Sequence, residues 1–196
     1  LQGEITKTHP FDYVAPNMFA GSVFDLQPDT EYEVKLQISD ADGVNGSAEQ
    51  SVVARTRAEP QPFAGGRTFH VYHADFKGEK QQPNFRGLLD AYYTGSAHAD
   101  WSNAFPPRVQ PGDTILVHAG VYKDNRFRYG GGMGTVFDGT YYLTASGTAE
   151  RPIVIKAAGD GEVVFDGDGN YNLFNLMAGN YNYFDGVVIR NTEVAI

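Results

Sequence analysis

The segment PGDTILV, residues 111–117, begins a run of short apolar segments that are separated by glycine, aspartate and asparagine. Each apolar segment is only three to five residues long, which is typical of a strand rather than of a helix. The residues between the segments favour turns. We therefore predict strands at TILV (114–117), TYYL (140–143), PIVIK (152–156), VVF (163–165) and VVIR (187–190).

The tripeptide Phe-Asp-Gly recurs in this region, beginning at Phe137, Phe165 and Phe184, with intervals of 28 and 19 residues. Periods of this size indicate stacked coils rather than hairpins. A turn that simply favours Asp-Gly would produce the same tripeptide. If the coils stack with Phe165 next to Phe184, Asp166 and Asp185 would lie one strand spacing apart, ~5 Å. We expect the three phenylalanines to be structural positions.

Four longer phrases surround these strands: QPGDTILV (110–117), GVY (120–122), SGTAERPIVIKA (146–157) and VFDG (164–167). Together they resemble the amino-terminal end of pectin-lyase-like right-handed parallel β-helix proteins. Many members of that group are polysaccharide lyases or other polysaccharide-active enzymes, so the resemblance implies an activity of this kind. The same phrases also occur in members of unknown function, so they specify the fold more closely than the activity.

The resemblance covers about residues 64–196 and implies two parts. Residues 67–110 would supply the first strand and a cap, and residues 111–196 would form parallel β-helix coils. The run of coils stops at Ile196 inside a strand-like segment. We therefore expect the solenoid to continue beyond this residue.

A short helix is predicted within PNFRGLLDAYY, residues 83–93. Phe85, Leu88, Leu89 and Tyr92 have helical spacing, although Gly87 interrupts the pattern. An uncovered first coil would expose apolar side chains and unpaired backbone groups. We therefore expect this helix to cap the solenoid.

A different pattern precedes the solenoid. In EYEVKLQI, residues 31–38, polar and apolar residues alternate, which predicts a strand with Tyr32, Val34, Leu36 and Ile38 on one buried face. Further strands are predicted at AGSVFDL (20–26) and QSVVART (50–56).

The spacing Leu26-x-Pro28-x-Thr30-x-Tyr32 matches the tyrosine corner of immunoglobulin-like sandwiches, in which a tyrosine hydroxyl bonds to the backbone upstream. The surrounding segment resembles the second half of a fibronectin type III domain. This resemblance implies a partial module in residues 1–58, with Leu26 and Tyr32 in structural roles. Residues 59–66, EPQPFAGG, follow as a linker that two prolines stiffen.

The composition favours an all-β protein. The 196 residues include 23 glycines and 10 prolines, a mixture that suits strands joined by many turns. The absence of cysteine excludes disulfides and cysteine-ligated metals. Asp and Glu outnumber Lys and Arg by 24 to 15, and a net charge of −9 argues against a nucleic-acid partner. No run approaches the ~18 apolar residues of a membrane span.

The lyase resemblance implies a particular chemistry. Elimination from a uronate needs a cation that neutralises the carboxylate and a base that removes the C5 proton. In β-helix lyases the cation is often calcium held by carboxylates, and the base is lysine or arginine. Asp166, Asp168 and Asp185 are the candidate calcium ligands, since calcium prefers several carboxylate oxygens. The alternative is that each aspartate begins a turn and bonds its own backbone.

Basic and aromatic residues supply the candidate substrate contacts. Lys123, Arg126, Arg128 and Tyr129 lie in one short segment that mixes charge and aromatic rings, as a sugar-binding loop would. Trp101 would stack on a sugar ring or pack between the cap and the solenoid. A solvated surface loop is the alternative for the basic segment. Lys156 and Arg190, which end apolar strands, are further basic candidates.

The histidines give a weaker indication of a functional site than the acidic and basic residues do. His70 and His73 are three residues apart, which places their side chains on opposite faces of a strand and argues against a metal pair. His118 follows the strand at residues 114–117 and is either a base or a buried, hydrogen-bonded core group, the second being favoured.

Two functions follow from these observations. The first is a secreted or cell-surface carbohydrate-active protein, a polysaccharide lyase or hydrolase acting on an acidic glycan, with calcium as the cofactor. The second is a non-catalytic surface, adhesive or filament-forming protein that self-assembles. The sequence assigns no catalytic residue in either case.

Overall fold

The computed structural model describes residues 21–94, 107–123, 126, 132 and 134–196. The chain divides into two compact units, Leu1–Glu59 and Pro60–Ile196. The described residues form many strands and one short helix, so the predicted all-β class is confirmed. No helix in the described part of the chain has the length and hydropathy that crossing a membrane requires.

In the described part of the first unit, residues 21–59, the strands form one antiparallel pair. β1 (Glu31–Gln37) pairs with β2 (Glu49–Arg55), and Tyr32 lies opposite Ala54. The Tyr32 hydroxyl accepts a hydrogen bond of 2.8 Å from the backbone N–H of Gln27. This is the upstream backbone contact that the spacing from Leu26 to Tyr32 predicts.

The apolar face of β1 is less covered than the sequence predicts. Tyr32 and Val34 are half-buried, but Leu36 is 56% exposed and Ile38 is 45% exposed. Residues 21–26 form no strand, contrary to the prediction for that segment. Within the described residues β1 has only β2 beside it, and a single strand pair cannot bury a face by itself.

The described residues of the second unit form three sheets, and every strand pairing within these sheets is parallel. The strands of sheet 1 are β3 (Thr68–Val71), β4 (Asn84–Phe85), β5 (Thr114–Val117), β8 (Ile153–Ala157) and β11 (Asn182–Asp185). Sheet 2 contains β6 (Gly120–Tyr122), β9 (Val163–Asn172) and β12 (Val187–Val194), and sheet 3 contains β7 (Tyr141–Leu143) and β10 (Phe174–Leu176). Sheet 1 has the order β11-β8-β5-β3-β4, sheet 2 has the order β12-β9-β6, and sheet 3 pairs β10 with β7.

From β5 onward the chain visits the three sheets in a fixed cyclic order. It passes from sheet 1 to sheet 2 to sheet 3 and then returns to sheet 1 beside its previous strand. Ile115 therefore lies beside Ile155, and Phe165 lies beside Ile189. Because parallel neighbours need a long crossover, the other two sheets supply each return path.

The Phe-Asp-Gly copies do not stack on one another, so the expected register is wrong. Phe165 lies in sheet 2, Phe184 lies in sheet 1, and Phe137 lies in a turn and is 42% exposed. The parallel neighbours of Asp166 and Asp185 are Arg190 and Lys156, not each other. In two of the copies the tripeptide recurs because it forms a turn, since Gly139 and Gly186 have φ of 79° and 70°.

The core of the second unit lies between the three sheets. Each sheet directs alternate side chains inward, and the buried set includes Phe69, Ile115, Ile155, Phe165, Tyr141 and Phe174. Burial of a large apolar side chain contributes roughly 1.5–3 kcal/mol. The outward side chains of sheets 1 and 2 are therefore held on a rigid base.

The helix is shorter than the sequence predicts. α1 spans Leu88–Tyr92, and Phe85 lies in β4. Gly87, directly before α1, has extended backbone, so the helix begins only at Leu88. Leu88, Leu89 and Tyr92 are buried within the same core. The capping role of this helix stays a prediction.

Candidate functional site

The structure gathers some of the predicted site residues and separates others. Lys123, which follows β6, lies near Asp168 of β9, and Asp166 of β9 contacts Arg190 and Asn191 at β12. We call these five residues the sheet 2 polar cluster. Trp101, Arg128 and Tyr129 lie outside the described residues.

Asp166 is the centre of this cluster. Its side chain is nearly buried, and its carboxylate accepts hydrogen bonds from the Asp168 backbone N–H (2.9 Å), Arg190 Nε (3.1 Å) and Asn191 Nδ2 (3.1 Å to each oxygen). The Asp168 N–H and then the Asn191 amide, with the Arg190 guanidinium, outweigh burial and lower the pKa of Asp166. The carboxylate is therefore ionised at neutral pH and fixes the positions of Arg190 and Asn191.

Lys123 and Asp168 form a loose, solvated pair. Lys123 Nζ lies 3.9 Å from Asp168 Oδ1, and the side chains are 45% and 69% exposed. Exposed pairs of this kind contribute little, typically 0–1 kcal/mol. An anionic ligand therefore competes easily with Asp168 for Lys123.

Arg190 presents a cation from the neighbouring strand. Its Nε contacts Asp166, while its side chain is 49% exposed. The guanidinium carries five donors in a planar fork that matches a carboxylate. The cluster thus offers two cations to solvent, Lys123 and Arg190, on either side of one ionised aspartate.

Arg126 has a different place from the one predicted for it. The residue is 1% exposed, so it does not lie at the surface where a polysaccharide would contact it. Its Nε donates to the Lys123 carbonyl and its Nη2 donates to the Gly167 carbonyl, both at 2.8 Å. Arg126 therefore ties the segment after β6 to β9 and so helps to position Lys123 beside Asp168.

Asp185 lies away from the cluster. It pairs with Lys156 in sheet 1, with Lys156 Nζ 2.6 Å from Asp185 Oδ2. Both side chains are partly exposed, at 41% for Lys156 and 56% for Asp185. This lysine–aspartate pair resembles the one in the cluster but belongs to another sheet.

The described aspartates do not fit a calcium site. No group of three or more His, Cys, Asp or Glu side chains within the described residues could hold a metal ion. The oxygens of Asp166 already accept bonds from protein donors, and Asp168 faces a lysine. Calcium needs six to eight oxygen ligands, so it would have to displace these donors.

An exposed aromatic pair is formed by one residue of β9 and one residue of a turn. Tyr171 of β9 and Phe137 are 43% and 42% exposed, and their rings meet edge to face at 5.8 Å. Tyr171 follows Asp166 by five residues, a distance of at most about 17 Å along an extended strand. The Tyr171 ring offers an apolar face with a polar tip, and such a face suits stacking on a sugar ring. Phe137 therefore lies at the surface, and its structural role stays a prediction.

A buried histidine pair is the feature that the sequence did not predict. His70 Nδ1 lies 3.0 Å from His118 Nε2, and His118 Nδ1 lies 2.6 Å from Asp160 Oδ2. For His118 the buried, hydrogen-bonded alternative is the one observed. The three residues are separated by 48 and 42 positions, so no local spacing could indicate their contact.

Comparison of the chain with protein-family models, with curated proteins and with solved structures found no match.

Proposed function

We propose that this chain belongs to a secreted or cell-surface right-handed parallel β-helix protein, with a fibronectin type III-like module, that binds and acts on an acidic glycan. The observation that supports the proposal is the sheet 2 polar cluster. Lys123 and Arg190 are half-exposed cations on the outer face of a parallel sheet, and Asp166 holds Arg190 in place.

The ligand class follows from the groups that the cluster exposes. A uronate carboxylate matches the planar guanidinium of Arg190 and the ammonium of Lys123. Sugar hydroxyls match Asp168, whose carboxylate is 69% exposed, and the ring of Tyr171 offers a stacking surface. The whole chain carries a net charge of −9, so the local cations must overcome a repulsive long-range field.

Lyase chemistry would use the two cations differently. In elimination, the C5 proton passes to a base, a double bond forms between C4 and C5, and the glycosidic C4–O bond breaks with its electron pair. Arg190 suits neutralisation of the carboxylate, because its charge is permanent. Lys123 suits the base in its neutral amine form, which a lysine side chain reaches more readily than an arginine does.

A non-catalytic adhesive or filament-forming protein is the second candidate. It is favoured by a row of valines on the outer face of sheet 2, in which Val121 and Val188 flank Val164. Val121 is 48% exposed and Val188 is 40% exposed. Apolar residues in contact on a surface suit a protein partner.

Lys123→Ala is expected to weaken binding of alginate, pectate or glycosaminoglycan oligosaccharides by about two- to fivefold, as the loss of one exposed charge pair predicts. The measurement is isothermal titration calorimetry at low salt, where screening is weakest. Lys156→Ala is the matched control, because it removes a lysine of similar exposure that also pairs with an aspartate.

The two variants and the product assay separate the alternatives. Equal weakening by both substitutions would show attraction to general charge rather than to the cluster. Ultraviolet absorbance of an unsaturated uronate product would support the lyase, whereas binding without product would support the adhesive alternative. Absence of binding across the whole panel would contradict both forms of the glycan proposal.

A further inference from the structure

The hydrogen bonds that link His70, His118 and Asp160 join three separate segments of the second unit. His70 lies in β3, His118 lies in the two-residue turn after β5, and Asp160 lies in the turn between β8 and β9. The Ala119 backbone N–H also donates to Asp160, at 2.9 Å. His70 and His118 are each 7% exposed, so the contact between their rings is shielded from solvent.

The residues that directly follow β3 cover the histidine pair through Tyr72. The Tyr72 ring stacks on His118, with centroids 4.0 Å apart and planes at 10°. The Phe76 ring also packs on the Tyr72 ring, with centroids 4.5 Å apart. The Gln81 backbone N–H donates to the Tyr72 hydroxyl at 2.9 Å. Residues 72–83, which we call the cover segment, are therefore held onto the histidine pair.

The histidine pair keeps both of its hydrogen bonds with one added proton but not with two. With both rings neutral, His118 Nδ1–H donates to Asp160 and His70 Nδ1–H donates to His118 Nε2. With one added proton on His118, that ring donates to Asp160 and to His70 Nδ1, so both hydrogen bonds persist. A second proton places two N–H groups face to face across 3.0 Å, and two cations then adjoin.

The charged neighbours do not relieve that repulsion. From the cover segment, Lys80 Nζ lies 5.8 Å from the Tyr72 ring, and His73 meets Tyr122 edge-on. From β6, the Tyr122 hydroxyl bonds the His118 carbonyl, and burial followed by the charge of Asp160 raises the pKa of Tyr122, which keeps it neutral. From β8, Lys156 is a further cation and is paired with Asp185. Among the described residues, Asp160 is the carboxylate that contacts the pair.

We propose that His70, His118 and Asp160 form an acid-sensitive clamp that accepts one proton and opens on the second, releasing the cover segment and the turn at Asp160. The clamp is a conformational device in addition to the glycan function and does not depend on it. Its opening would loosen residues 72–83 and 158–162 while the remaining strands stay paired.

The direction of the pH dependence follows from the two shifted groups. Burial, and then the charge on His118, lower the pKa of His70 below its ordinary 6.5. The unfolded chain therefore binds more protons than the folded one below that pH, so stability falls as the pH drops through this window. Burial raises the pKa of Asp160, but the hydrogen bonds from His118 and Ala119 outweigh it, so its net pKa lies below 3.8. The contribution of Asp160 is consequently lost only at lower pH.

Hydrogen exchange followed by mass spectrometry on the full 196-residue chain tests the clamp. After correction for intrinsic rates, protection of peptides covering residues 72–83 and 158–162 is expected to fall about tenfold from about pH 7.5 to about pH 5. His70→Asn should reduce this step to less than about twofold, because the asparagine N–H occupies the place of Nδ1 and does not titrate. His73→Asn is the matched control in the cover segment and should retain the step.

Nitrogen NMR of the histidine rings in the unmodified chain gives a second readout that needs no variant. Uptake of one added proton by the pair with protection intact, followed by uptake of a second together with loss of protection, supports the clamp. Two doubly protonated rings with protection unchanged would overturn it. An unaltered step in His70→Asn would also overturn it.

Discussion

Phe165→Ala is expected to lower the free energy of unfolding of the second unit by about 3–5 kcal/mol. Phe165 has no exposed surface, and its ring lies 5.5 Å from Tyr122, 5.5 Å from Tyr141 and 5.2 Å from Phe174. These neighbours lie in sheets 2 and 3, so strand pairing holds their backbones and they cannot close around the deleted ring. A single domain has roughly 5–15 kcal/mol of stability, so the loss is a large share.

Another copy of the Phe-Asp-Gly tripeptide, the one that begins at Phe137, supplies the control. Phe137→Ala removes an identical side chain that is 42% exposed, and its effect is expected to stay within about 0.5 kcal/mol. Urea unfolding followed by circular dichroism measures both variants, and the slope of the transition should not change. Equal losses at the two positions would contradict the placement of Phe165 between the sheets.

Asp166→Ala is expected to cost about 1.5–3 kcal/mol, because it removes a nearly buried carboxylate that accepts three protein donors. Asp185→Ala is the matched control from another copy of the tripeptide. Its carboxylate is 56% exposed and holds only a surface pair with Lys156, so the expected cost is below about 1 kcal/mol.

The cost of Asp166→Ala should depend on pH in one direction. The folded pKa of Asp166 lies below its ordinary 3.8, so the stabilisation is present above 3.8 and is lost as the pH falls through the folded pKa. Urea unfolding of the wild type and the variant at about pH 7 and about pH 3 measures whether their free energies of unfolding approach each other in acid. A difference that stays constant, or that grows in acid, would show that the carboxylate is not stabilised in its ionised form.

Asp166→Ala also tests how the cluster holds its cation. Without the carboxylate, Arg190 and Asn191 lose their fixed positions, so glycan affinity should fall by more than it does in Asp185→Ala. Calorimetry with the oligosaccharide that binds best gives this comparison. If Asp185→Ala weakens binding as much, the ligand contacts sheet 1 and the cluster is not its site.

Local pattern was enough to find strands with strong signals. TILV at residues 114–117 is β5 with the same bounds, since β-branched residues between turn formers have few other options. The strands β10 and β11 were not predicted, because FNL and NYFD mix asparagine and tyrosine with few apolar residues. Their pairing with preceding strands compensates for that weak local preference.

The candidate site was predictable only in part. Lys123, Asp166 and Asp168 were singled out for their residue type, whereas their grouping with Arg190 and Asn191 depends on the register between β9 and β12. The sequence expected Asp166 to lie beside Asp185, and parallel pairing instead gave each aspartate a cation as its neighbour. A repeat of irregular period does not define which strands lie side by side.

The sequence by itself determined the all-β class, many of the strands and the Tyr32 contact, because these depend on side-chain periodicity and turn chemistry within a few residues. The tertiary structure alone decided which Phe-Asp-Gly copy is buried, which carboxylates are paired, and that His70 meets His118 and Asp160. Such contacts join residues more than 20 positions apart. They are fixed by the stacking register of parallel strands, which no local sequence pattern encodes.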